Sequence, residues 1–265
     1  IAPINVAVKN NLYETPFLPT NAIENVLAQI EGDYGKVLDN KIKKSKRLTR
    51  KDHEKVALYI STLESRTIKQ QSHLNNFLNQ LNETGRAISL GYNTPDAADR
   101  WSKKIEMMEE IFFAESILVS LDVNKWQPLD FCFLRPSDTV DIEFITSDHP
   151  VTVTDFTKGN SPFGLNHWHK TAECVVPLTP KIALFGNACG ITGYKEIDYD
   201  FVREINNRTL RRADKMIISA SPIPEYEEKA IVERAPQSLL LNFLRLPNGQ
   251  IDKIIKKQDK QEQHK

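Results

Sequence analysis

DIEFITSDHPVTV, residues 141–153, is the stretch from which the fold is read. Ile142, Phe144 and Thr146 alternate with Glu143 and Ile145, the pattern of a half-buried strand. The alternation ends at Ser147-Asp148-His149, where Pro150 stiffens a turn, and Val151 to Val153 is β-branched again. Such a strand delivers groups that donate, accept or titrate at its end.

Downstream, a loop containing Gly and Asn covers residues 157–170. Ala172 to Val176 and Ile182 to Phe185 read as strands around the turn Pro177-Leu178-Thr179-Pro180. Asp198 is placed to cap a helix carrying Phe201, Ile205 and Leu210 on one face. Met216 to Ala220 is a further apolar run expected to be a strand, as is the aromatic segment Lys125 to Arg135 before the quoted stretch.

Upstream the period changes to that of helices. Ile23, Val26, Leu27, Ile30, Tyr34, Val37 and Leu38 predict a helix from Ala22 to about Ile42, with Glu24 and Glu31 bordering its apolar face. Thr49 caps a long helix predicted from Lys51 to about Glu83, on which Thr62, Arg66, Gln70 and His73 form one polar line. A third helix begins near Pro95 and carries Trp101, Ile105, Met108, Ile111 and Phe112. Helices first and strands second define an α+β chain and not a parallel βαβ sheet. The expected architecture is N-terminal long helices packed on a C-terminal, mostly antiparallel sheet with one or two further helices. A single domain over 1–250 is expected, with a helical half at 20–121, a strand-rich half at 125–221 and a frayed polar tail at 251–265.

Composition narrows the function classes. The 265 residues are 40% apolar and 26% charged, with 35 basic side chains matched by 35 acidic ones. Overall neutrality argues against indiscriminate binding to nucleic acid or anionic lipid. The local run Lys41, Lys43, Lys44, Lys46, Arg47, Arg50 and Lys51 is nevertheless a candidate nucleic-acid contact. Tyr59 is the one aromatic near it in sequence, so no base-stacking surface is expected there. The sequence has no apolar run of about 18 residues, so no membrane span is expected. Cys132, Cys174 and Cys189 are odd in number and widely spaced, as expected of reduced thiols in a cytoplasmic protein. The chain opens without Met and is expected to begin inside a longer gene product.

The candidate chemistry gathers at the quoted turn. Asp148 and Glu31 are the carboxylates expected to handle a proton or a divalent metal, with Arg66 stabilising negative charge or serving as a buried counter-ion to Glu31 or Asp148. Ser147 and His149, flanking Asp148, are the further candidate catalytic residues, but strand neighbours point to opposite faces and no GxSxG elbow is present, which argues against a serine hydrolase in particular. Asn206, beside the apolar face of its helix, is expected to hydrogen-bond into the same cluster. His167-Trp168-His169 is an HxH pair in a loop, expected to be ordinary surface. Two readings follow. One is a hydrolase, in its sharpest form a metal-dependent nuclease or phosphodiesterase. The other is a non-catalytic recognition or effector module in which the same cluster is structural.

Several of these pieces occur in one order: Tyr13 after an Asn pair, the helix with Glu24 and Glu31, Arg66-Thr67, Phe144 to Pro150, Pro177 to Pro180, and Ile205-Asn206 followed by Ile217-Ile218-Ser219. Together, from about Ile4 to Ser221, they resemble the largely prokaryotic domain-of-unknown-function family 4238. The resemblance implies a bacterial protein and adds Tyr13 and Thr146 to Asn206 as expected binding positions. That family usually opens with a His-Tyr-x-Pro segment, which would lie upstream of Ile1, and has Asn where this chain has His149.

Overall fold

The computed structural model describes residues 18–91, 94–121, 129–155, 171–222 and 239. It is an α+β protein whose N-terminal helices precede a mostly antiparallel mixed sheet. Two compact units divide the chain: one joins 1–36 with 58–122, the other 37–57 with 123–265.

The helical unit contains most of α1 (Ala22–Val37), the end of α2 (Arg50–Ser65), α3 (Ile68–Gly91) and α4 (Pro95–Ser120). Ile23 and Leu27 of α1 pack with Phe113, Ala114 and Ile117 of α4, while Leu74 of α3 closes the same cluster. Pro95 stands in the first turn of α4, where its missing N–H leaves no intrahelical bond unmade. The single helix expected over Lys51 to Glu83 is broken. α2 stops at Ser65, and the Thr67 hydroxyl accepts the Gln70 N–H to start α3. Thr62, Arg66, Gln70 and His73 therefore share no continuous helical face.

α3 and α4 pack side by side, and one glycine permits their close approach. Trp101 donates its indole N–H to the Leu81 carbonyl at 3.1 Å. A Cβ on Gly85 would stand 2.1 Å from that indole nitrogen. Helix propensity alone would prefer alanine at Gly85; the indole excludes it.

The sheet unit has strands β1 (Asp130–Pro136), β3 (Thr152–Asp155), β4 (Ala172–Thr179), β5 (Ile182–Asn187) and β6 (Gly193–Ile197) in spatial order β3-β4-β5-β1-β6. All neighbours are antiparallel except β1 and β6, which run parallel. β4 continues to Thr179 through an irregularity at Pro177/Thr179, so the turn to β5 is tighter than the Pro177–Pro180 expectation. One face, with Cys132, Leu134, Val175, Ala183 and Phe185, packs on Val202 and Ile205 of α5 (Tyr199–Arg212). Asp198 caps α5 as expected, its carboxylate accepting the Phe201 N–H at 3.1 Å.

The quoted stretch is less regular than its alternation suggests. Before β3 opens at Thr152, only Thr146–Ser147 forms a strand there, β2, paired antiparallel with β7 (Ile217–Ile218). Phe144 and Ile145 are both buried, so the phase slips at that step; thereafter Ser147 and His149 turn inward. The slip has a local cause. Instead of joining a ladder, Phe144 N–H bonds to the Pro180 carbonyl at 2.9 Å, and Ile145 N–H bonds to a side chain of α5.

Candidate functional site

That side chain is Asn206, and its amide is used at both ends. Its Oδ1 accepts Ile145 N–H at 3.1 Å and its Nδ2 donates to the Glu143 carbonyl at 2.8 Å. A buried asparagine thus reads the backbone of 143–145 as a neighbouring strand would. Three residues beyond, the Asp148 carboxylate accepts two backbone donors from the segment after α5: Asp214 N–H at 3.0 Å and Lys215 N–H at 2.8 Å. Asp148 N–H in turn donates to the Met216 carbonyl. Ser147 Oγ accepts the His149 N–H at 3.1 Å, closing the turn locally, and Arg212 Nε donates to His149 Nδ1 at 3.3 Å. That acceptor role directs the ring proton of a neutral His149 to Nε2. Thr146 sits in the β2–β7 ladder opposite Ile218. The structure therefore gathers Thr146, Ser147, Asp148, His149 and Asn206 around the join of β2, β7 and α5.

Glu31 and Arg66 belong to the helical unit. Arg66 Nη2 meets Glu31 Oε1 at 2.7 Å with both side chains partly open to solvent, so of its two expected partners the arginine takes Glu31, and it is not buried. Beside them Tyr59 stacks on Tyr34 with ring centroids 3.7 Å apart, and burial, with Glu31 adding to it, raises the Tyr59 phenol. Among the described residues no three His, Cys, Asp or Glu side chains are gathered as a metal ion requires. Tyr13, His167 and His169 lie outside the described residues. None of the three cysteines is in a disulfide, and burial holds the Cys132 thiol up at about 11, far from thiolate chemistry at neutral pH.

The largest feature not foreseen in the sequence is a buried ion cluster on α5. Arg208 donates to Glu173 Oε2 of β4 at 2.7 Å and to Glu204 Oε1 one turn back at 3.1 Å, and all three side chains are inaccessible or nearly so. Glu173 Oε2 also accepts the Leu239 N–H at 3.0 Å. Residues 204–210 are buried without interruption. An apolar stripe of Ile205 and Leu210 predicts one covered face, whereas here the polar faces are covered too. The only hint in the sequence was Glu204 and Arg208 at i,i+4 spacing, which is ordinarily a solvated pair.

The basic run also changes character in three dimensions. Lys41 pairs with Asp52 at 2.6 Å, Lys43 with Asp39 at 2.7 Å and Arg50 with Glu54 at 3.2 Å. Thr49 and Asp52 form a reciprocal capping box at the start of α2, the Asp52 carboxylate accepting both the N–H and the hydroxyl of Thr49. Burial pushes the Asp52 carboxyl up, but hydrogen bonds from Lys41 and from Thr49 outweigh it and bring the group from 3.8 down to about 2. A carboxylate whose folded value is depressed stabilises above its unfolded value, and that contribution is lost as pH falls from about 4 through about 2. Asp52→Asn is accordingly expected to cost about 1 kcal/mol at pH 7 after allowance for solvent screening, and to flatten the acid limb of the stability profile. Urea midpoints of both chains between pH 2 and 7 check this.

Sequence comparison bears on the class of protein that these elements define, an α+β chain whose polar turn is clasped from α5. The family model described as Protein of unknown function (DUF4238) matches residues 1–222, and the chain belongs to that family. No curated protein and no solved structure matches. Among the described residues no helix is long and apolar enough to cross a membrane.

Proposed function

We propose that this chain is a non-catalytic recognition module in which the cluster around Asp148 is a scaffold. The observation that carries the reading is that each Asp148 oxygen accepts a backbone N–H of the Asp214–Lys215 segment. Two backbone donors make this carboxylate a loop clasp, and among the described residues no three metal-ligating side chains gather around its remaining lone pairs. Ser147 supports the same reading, since its Oγ meets the His149 N–H and not the imidazole that would have to activate it. Asn206 holds the strand backbone and Arg212 orients His149. In this reading Glu31 and Arg66 act as a local ion pair that joins α1 to the end of α2.

The test sets the chain beside its Asp148→Asn variant, with single-stranded RNA, single-stranded DNA and bis-p-nitrophenyl phosphate as substrates, in Mg²⁺ or Mn²⁺ against EDTA. The expected outcome is no cleavage above the EDTA control by either protein. Metal-dependent cleavage by the native chain, abolished in a variant with an unchanged circular dichroism spectrum, would return Asp148 to the hydrolase reading.

A further inference from the structure

The face of the sheet turned away from α5 bears a cavity of about 700 Å³, formed wholly within the sheet unit and bounded by the loop Arg47–Leu48, the first half of α2, β1 and the start of β6. Its size falls in the range of small-molecule sites. Two anchors hold the loop that forms its rim. Arg135 Nη2 donates to the carbonyls of Ile42 and Lys43 at 2.6 and 2.8 Å, and the Tyr194 hydroxyl donates to the Lys46 carbonyl at 2.7 Å. The Arg135 guanidinium lies 5.7 Å from the Tyr194 ring centre, and that ring stacks on Phe133 at 5.4 Å. A basic loop that sequence position alone would leave free is thus fastened at three carbonyls.

The wall divides by chemistry. Phe131, Phe133 and Tyr194 offer aromatic surface, with His53 5.7 Å from the Phe131 ring. Burial lowers the His53 imidazole against the pull of Asp52 and Asp130, which favours its neutral ring. The lining also includes Arg47, which has no ion pair among the described residues, and Arg50, paired with Glu54. Glu54 and Asp130 also line the wall, so its two arginines are matched by two carboxylates. That balance suits one anionic group held by Arg47 and leaves no surplus positive charge to neutralise a polyphosphate or a continuous nucleic-acid backbone. An aromatic floor beside a single available guanidinium suits a flat heterocycle carrying one phosphate.

Resting on the recognition reading above, we propose that this cavity binds a nucleoside monophosphate, the base against Phe131, Phe133 and Tyr194 and the phosphate on Arg47. Calorimetric titration of the full chain with AMP, GMP, CMP and UMP tests it, alongside adenosine and guanosine, inorganic phosphate and a ten-nucleotide single strand. At least one monophosphate is expected to bind one to one with a dissociation constant below about 100 μM. Its nucleoside and free phosphate should each bind at least about tenfold more weakly. Arg47→Ala, which removes an exposed side chain with no structural partner among the described residues, should weaken the nucleotide by about tenfold or more at unchanged melting temperature. No one-to-one binding below about 1 mM overturns the proposal, as does an Arg47→Ala variant of unaltered affinity, or a preference for the single strand with a salt dependence of several phosphates. Chromatography of the nucleotide after incubation separates the two claims: unchanged nucleotide supports both, whereas a converted product at an Arg47-dependent site supports the cavity and overturns the non-catalytic reading.

Discussion

Arg208→Met is expected to lower the stability of the sheet unit by about 3–5 kcal/mol at pH 7, the largest effect of any substitution considered. The native guanidinium sits between Glu173 and Glu204 with all three side chains out of water. Methionine fills much of the volume but takes the cationic partner from two buried carboxylates, and one partner's removal is where a buried ion cluster is most costly. Arg208→Lys should recover only part of the loss, because a single ammonium does not reproduce the fork that reaches β4 and the preceding turn of α5 at once. Neutralising all three positions, as Glu173→Gln, Glu204→Gln and Arg208→Met together, is expected to be milder than the single change. Urea unfolding followed by far-UV circular dichroism reads the series, and a single variant within about 1 kcal/mol of the native chain would show that the cluster is solvated.

Asn206→Leu is the second large effect, expected at about 2–4 kcal/mol. Leucine has the same branching and number of side-chain heavy atoms and is apolar like its neighbour Ile205, so shape and polarity of the surroundings alone would admit it. What it removes is the acceptor for Ile145 N–H and the donor to the Glu143 carbonyl, two backbone groups that no ladder serves. Asn206→Asp discriminates between packing and hydrogen bonding. It keeps an acceptor for Ile145 but sets a carboxylate oxygen against the Glu143 carbonyl, now 2.8 Å from a donating nitrogen. Both variants should be destabilised; a destabilised Leu with a native-like Asp would contradict the two-ended role.

Some of this was legible in the sequence because it is local. Thr49 and Asp198 start helices through bonds within three residues, Pro95 stands in a first turn that needs no N–H from it, and each is where its type predicts. The order of helices before strands sets the fold class for the same reason. Thr67 was legible in principle, as a cap inside an apolar pattern that runs through it, but periodicity outweighed it. The rest depends on partners remote in the chain. Nothing near Arg208 indicates that Glu173, 35 positions earlier, completes its surroundings. The aromatic floor beneath the basic loop was invisible because Tyr194 reaches Lys46 across 148 positions, so Tyr59 was the only ring that proximity in sequence offered. At the turn, Asp148 was recognised as an important carboxylate, but its partners are main-chain N–H groups of residues 214 and 215, which carry no side-chain signature.

Amide hydrogen exchange at Asp214 and Lys215 tests most directly whether Asp148 is a clasp. In Asp148→Asn the side chain has one acceptor where the carboxylate has two, and its NH₂ must face one of the two backbone donors. The native chain is predicted to protect both amides, and the variant to lose protection at one or both by about tenfold or more while the amides of β4 and β5 exchange as before. Rapid exchange of both amides in the native chain, or identical protection in the variant, would contradict the account.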